Sequence, residues 1–148
     1  MRLTRQTNYA LRIMMYCAAT PEKRNRVSEI AAAYGLPEKF LFKILQPLVE
    51  AGLLLTIRGR SGGIILAKPA EQISILDVVK VTEADFLMAE CFDEANTDCP
   101  LLDHCELNSA LRDALNSFLE SLGSRSIASL VKNRADILLR LGIQDSAA

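Results

Sequence analysis

The chain has 148 residues, 50% of them hydrophobic and 24% charged, which suits one compact domain with an appendage and excludes a disordered polyelectrolyte. No apolar run approaches the roughly 20 residues of a membrane helix, and the N-terminus turns polar at Arg5-Gln6-Thr7-Asn8, so neither a membrane span nor a secretory signal is expected and the chain reads as cytoplasmic. The net charge of -1 hides an asymmetry: residues 1–68 carry 11 Lys and Arg against 4 Asp and Glu, whereas residues 69–148 carry 6 against 14. A basic first half suits phosphate contact, and an acidic second half would be repelled by it.

Residues from about Thr4 to Thr20 repeat apolar side chains at helical spacing (Tyr9, Ile13, Met14, Cys17), and nothing breaks the run before Pro21. Ser28 is the expected N-cap of a short second helix that Gly35 stops. Pro37 opens a third, whose buried stripe is Phe40, Leu41, Ile44, Leu45 and Leu48 and which Gly52 ends. Two short helices joined by a glycine-containing turn are a helix-turn-helix signature.

The next residues, Leu53–Ile57, Arg58-Gly59-Arg60-Ser61-Gly62-Gly63 and Ile64–Leu66, read as strand, tight turn and strand, and therefore as a wing. Ser74 with Asp77 forms a capping box for a helix running to Thr82, with Ile73 and Val78 as its apolar staple. Residues 83–106 are acidic, lack periodicity and read as an ordered loop, long enough to need something that stabilises it. From Leu107, the series Leu107, Leu111, Leu115, Phe118 and Leu122 predicts a long amphipathic helix of about 26 Å. So small a head has little surface to cover that face, which points to pairing with the same helix of a second subunit. Residues 126–141 are expected to be helical again, and 144–148 to be a polar, loose end.

The expected architecture is mainly α with a small β wing. A winged helix-turn-helix DNA-binding domain spans 1–82, a cluster-binding loop 83–106, and a dimerisation helix with its tail 107–148. Lys39 and Lys43 share one face of the reading helix, with Phe42 between them. Arg2, Arg5, Arg58, Arg60, Ser61 and Gly62 are the candidate backbone or minor-groove contacts.

Four cysteines stand at positions 17, 91, 99 and 105. Cys17 lies on an apolar helix face and reads as core packing. Cys91, Cys99 and Cys105 cluster within fifteen residues, which in a cytosolic chain points to metal binding or thiol chemistry and not to a disulfide framework. Their spacing matches neither ferredoxins nor zinc fingers. Three soft thiolates on a loop suit zinc, an iron–sulfur cluster or redox-active thiols. His104, beside Cys105, is a lesser ligand candidate. No general acid–base pair or nucleophile motif is present, which disfavours an enzyme.

The opening Met1-Arg2-Leu3-Thr4-Arg5-Gln6-Thr7-Asn8-Tyr9-Ala10-Leu11-Arg12 resembles a family of small bacterial winged-helix regulators that includes the iron–sulfur regulator IscR, the nitric-oxide sensor NsrR and the rhizobial iron regulator RirA. So do Phe40-Leu41-Phe42-Lys43-Ile44-Leu45-Gln46-Pro47-Leu48, Arg58-Gly59-Arg60-Ser61-Gly62-Gly63, Met88-Ala89-Glu90-Cys91-Phe92, Cys99-Pro100-Leu101 and Leu107-Asn108-Ser109-Ala110-Leu111-Arg112. The likeness runs from Met1 to about Leu141 and looks nearest to RirA. It implies a homodimer paired through the long helix, bound to palindromic operator DNA. It also implies a cluster on Cys91, Cys99 and Cys105, of [4Fe-4S] type ahead of [2Fe-2S] and ahead of zinc.

On this resemblance the chain is expected to repress iron-uptake genes when iron is plentiful. The alternatives are a nitric-oxide- or redox-sensing regulator of the same fold, and an iron–sulfur or zinc scaffold that does not bind DNA. Asn8 stands where some nitric-oxide sensors carry a ligating aspartate from the partner subunit, and Asn108 where IscR carries a ligating histidine, so neither fourth ligand carries over. Phe42 replaces an acidic residue of the IscR reading helix, so operator preference need not match.

Overall fold

A computed structural model describes residues 2–93, 95, 99–101 and 104–144. Seven helices and one hairpin are assigned among them. They are α1 (Arg5–Ala19), α2 (Val27–Tyr34), α3 (Glu38–Glu50), β1 (Leu54–Ile57), β2 (Gly63–Leu66), α4 (Ile75–Thr82), α5 (Glu106–Gly123), α6 (Ile127–Leu130) and α7 (Arg134–Arg140). Short 3₁₀ turns lie at Ala70–Gln72 and Glu90–Phe92. The chain is thus mainly helical, with a two-stranded wing and a long helix in its C-terminal part.

Local chemistry accounts for the element ends. The Thr4 hydroxyl accepts the Thr7 N–H at 3.2 Å and starts α1. Gly35, at φ +62°, closes α2 by donating to Ala32, while Leu36 donates to Ala31 at 2.8 Å. The second helix starts two residues earlier than Ser28 suggests: Arg26 is its N-cap, and its N–H is held by the Glu29 carboxylate. Ser74 and Asp77 form the expected reciprocal box at 3.0 and 2.8 Å.

One core joins these elements. Ile13 and Met14 of α1, Ile30 of α2, Leu41, Ile44 and Leu48 of α3, Leu54 of β1 and Val78 and Val79 of α4 are almost fully enclosed. Burying each such side chain contributes about 1.5–3 kcal/mol. Cys17 lies in the same core, as expected, and burial pushes its thiol up to about 12 despite a hydrogen bond with Asn25.

The hairpin is antiparallel, pairing Leu54 with Leu66 and Ile57 with Gly63. Asn25, fully buried, adds a bridge to it: Asn25 and Ile64 exchange backbone hydrogen bonds at 3.0 and 2.8 Å. A side chain at Gly63 would stand 2.7 Å from the Asn25 carbonyl oxygen, so glycine is what permits this approach.

After α5 the chain returns to the head. Ser126 bridges Ser74, Ile127 donates to the Ile73 carbonyl at 2.8 Å, and the Ile127 side chain is fully buried in the head's core. The C-terminal stretch expected as one helix is two, α6 and α7, interrupted at 131–133. The reason is a second capping side chain, Asn133, which accepts the Asp136 N–H just as Ser126 accepts that of Ser129. Gln144 is exposed, and the rest of the expected loose end, 145–148, lies outside the described residues.

Candidate nucleic-acid interface and cysteine site

The exposed face of α3 carries Lys39, Phe42, Lys43 and Gln46, while the opposite face is in the core. Phe42 is 55% exposed, unusual for so large an apolar side chain and available for contact with a thymine methyl or sugar. Phe40, expected in the buried stripe, is instead 43% exposed and packs edge-on against Tyr9 at 5.8 Å. Arg58, Arg60 and Ser61 are exposed at the wing tip. The tip's shape depends on two glycines: Gly59 has φ +109°, and a side chain at Gly62 would stand 2.3 Å from the Ile57 carbonyl oxygen. Arg5 is exposed at the start of α1. Arg2 is placed differently, on a small cleft it lines with Leu3, Glu83, Asp85, Phe86, Leu87 and Phe118, beside two carboxylates.

The cysteine segment meets α5 at that helix's first turn. Cys105 is the N-cap, its sulfur accepting the Asn108 N–H at 3.4 Å. The Asn108 side-chain amide donates to the Cys91 sulfur at 3.0 Å and lies 3.5 Å from the Cys91 carbonyl oxygen. One residue therefore touches two sulfurs fourteen positions apart in sequence. Cys99 is exposed, as is His104, and among the described residues no group of three or more Cys, His, Asp or Glu side chains is gathered closely enough to hold a metal ion. Asn8 is exposed on α1.

The chain as a whole has counterparts among known proteins. Residues 3–133 match the family model described as "Rrf2: Iron-dependent Transcriptional regulator". The chain belongs to the Rrf2 family of transcriptional regulators. It is 59% identical over 145 residues to Protein aau3 of Rhizobium meliloti (strain 1021), covering 98% of this chain and 94% of that protein. It is 40% identical over 138 residues to the HTH-type transcriptional regulator NsrR of Geobacillus kaustophilus (strain HTA426), covering 93% and 94%. Among solved structures it is similar to CymR, the global cysteine regulator of B. subtilis, with a TM-score of 0.71, 28% identity and coverage of 90% of this chain and 98% of that one.

The Rrf2 chain's cysteine site suits a sulfur-ligated group by its donor chemistry. Two of the three thiols converge at a helix N-terminus, where the backbone and side-chain N–H groups of Asn108 meet their sulfurs. The third, Cys99, is exposed on the same segment. Cys91, Cys99 and Cys105 are thus the residues that would hold such a group. Cys17, enclosed in the core with its thiol held protonated, is not available to it.

The face of α5 is the other unfinished feature. None of its 18 residues is buried within the single chain. Leu107 is 67% exposed, and Leu111, Leu115 and Phe118 are half-buried. Leu122 packs instead against its own chain's core, close to where Gly123 passes Leu76.

Sequence reasoning missed two features. Asn108 and Arg112 share a helix face by their i,i+4 spacing, a signal that could have paired them. The Arg112 Nε donates to the Asn108 side-chain oxygen at 2.7 Å, and the guanidinium stands 4.7 Å over the Phe92 ring. The second is Glu83, the first residue of the expected loop. Its carboxylate accepts the Thr4 N–H at 2.7 Å, the Thr4 hydroxyl at 3.1 Å and the Thr7 hydroxyl. Nothing in the sequence pairs residues this far apart.

Proposed function

We propose that this Rrf2 chain is a homodimeric DNA-binding repressor whose grip on a palindromic operator is released when nitric oxide or oxidants attack a centre held by Cys91, Cys99 and Cys105. The observation that carries the reading is the convergence of the Cys91 and Cys105 sulfurs on Asn108 at the first turn of α5, none of whose residues is fully buried within the chain. Near-full-length similarity to regulators named NsrR supports nitric oxide or redox change as the signal. A [4Fe-4S] cluster, preferred here to [2Fe-2S], would supply an iron centre that reacts with nitric oxide and oxygen.

In this reading Lys39, Phe42 and Lys43 enter the major groove, and Arg58, Arg60, Ser61 and Gly62 track the backbone or minor groove with Arg5. Arg2, beside Glu83 and Asp85, is the weakest of the proposed DNA contacts. Leu107, Leu111, Leu115 and Phe118 pair across the dimer, with Leu122 at the edge. Two half-sites one helical turn apart demand heads about 34–36 Å apart. Release of the segment between α4 and α5 would misplace one head and forfeit its share of binding. Such a regulator acts in the cytoplasm.

The test is operator-like duplex titrated by fluorescence anisotropy with anaerobically reconstituted protein, before and after nitric oxide. A loss of tenfold or more, with the dimer intact, is expected; equal binding by the treated, untreated and cluster-free forms would overturn the reading. The matching family model's description favours a second reading, iron availability as the signal and iron-uptake genes as targets, as in RirA. It predicts that an iron chelator alone, without nitric oxide or oxygen, weakens binding as strongly.

A further inference from the structure

The Arg112–Asn108 contact bridges α5 to the cysteine segment by two routes. The Asn108 amide reaches the sulfur of Cys91. The Arg112 guanidinium lies over Phe92, the next residue. Both arms therefore grip the Glu90–Phe92 turn. An ordinary surface pair at i,i+4 on a helix contributes a few tenths of a kcal/mol and touches nothing beyond the helix. This pair differs, because its hydrogen bonds are directional and end on a sulfur. Arg112 accepts nothing, so its Nε–H fixes which end of the Asn108 amide is the oxygen. The NH₂ end is thereby left for Cys91. The backbone N–H of the same Asn108 holds Cys105.

We propose that Asn108, oriented by Arg112 and Phe92, is a positioning residue that gathers the Cys91 and Cys105 sulfurs into a paired donor set. This rests on the proposed role of those cysteines as ligands. Outer-shell hydrogen bonds of this kind orient ligands and bear on affinity. The absence of a ligating histidine does not leave position 108 idle: its amide serves the sulfurs.

The experiment uses the full-length, reduced, metal-free protein and Co²⁺ as the probe, read by thiolate-to-cobalt charge-transfer absorption. Asn108→Ala is expected to weaken Co²⁺ binding about 10–100-fold, the usual cost of losing such a partner. Arg112→Met and Arg112→Lys should both weaken it in the same direction, since lysine keeps the charge but loses the planar Nε–H and the ring stacking. Cys17→Ala should match wild type. Helicity by circular dichroism shows that each variant is folded, and Arg112, being exposed, is the safer substitution. Binding by folded Asn108→Ala within about threefold of wild type, with an unchanged charge-transfer band, would overturn the proposal, as would a wild-type protein showing no such band. Should cobalt bind as expected while no iron cluster assembles, the positioning role stands and the cluster reading falls.

Discussion

Replacing Glu83 by glutamine tests whether the joint between the head and the cysteine segment depends on charge. The Glu83 carboxylate faces three donors, the Thr4 N–H and the hydroxyls of Thr4 and Thr7, and Thr7 also pairs with Thr82 at 2.8 Å. Burial disfavours the charge, but the hydrogen bonds from Thr7 and Thr4 together outweigh it and hold the carboxyl below its ordinary value of 4.5. A neutral amide oxygen accepts the same donors more weakly. Hydrogen bonds to a charged group contribute about 1.5–3 kcal/mol against roughly 1 for neutral ones, and this partly exposed site is discounted for solvent screening. A loss of about 1–2 kcal/mol follows, or roughly 2–8 °C in melting temperature for a chain of this size.

The sign with pH is definite. A depressed carboxyl stabilises the fold above its unfolded-state pKa, and that stability disappears as pH falls through the folded value. Thermal unfolding of wild type and Glu83→Gln at matched protein concentration should therefore differ at pH 7 and converge as the pH drops below 4.5. A gap that stays constant down to pH 3, or none at pH 7, would refute the electrostatic account of this joint.

Gly62→Ala should spare the core but deform the wing, because its new methyl would meet the Ile57 oxygen at 2.3 Å; strain of about 1–3 kcal/mol predicts a loss of about 5- to 150-fold in operator binding by anisotropy. Arg58→Ala combined with Arg60→Ala should flatten the slope of log affinity against log salt by about 2, if each contacts one phosphate. Leu111→Glu with Leu115→Glu should yield a folded monomer by sedimentation velocity and abolish binding to the two-half-site operator. Ile127→Ala should destabilise the whole head by about 2–4 kcal/mol in urea unfolding, although it lies far along the chain from the reading helix.

What the sequence disclosed followed local rules. Gly35 at the end of α2, the Ser74–Asp77 box and the i, i+4, i+7 stripe of α3 each leave a short-range pattern, and the helices and wing follow from them. The cysteine trio was visible because thiols are rare and clustered. Long-range partnerships were not visible: Thr7 with Glu83, Asn25 with Ile64, and Ile127 with Ile73 depend on tertiary approach, which no spacing encodes. Phe40 shows the same limit from the other side. Its helical phase sits at the edge of the apolar stripe, where the Tyr9 ring covers it only in part and 43% of it stays in water.

The return of Ile127 into the core bears on how the protein is made on the ribosome. The reading helix and wing leave the exit tunnel early, but their core closes only once residues beyond α5 have emerged, with Ser126 docking beside Ser74 and Ile127 beside Ile73. Synthesis runs at about 5–20 residues per second, so the nascent head waits a few seconds with an unfilled core. α5 leaves the tunnel only at the end of that interval, its last residue Gly123 four positions ahead of Ile127. The long helix and the last piece of the head's core thus become available almost together, so the face proposed for pairing is not presented far ahead of a finished head.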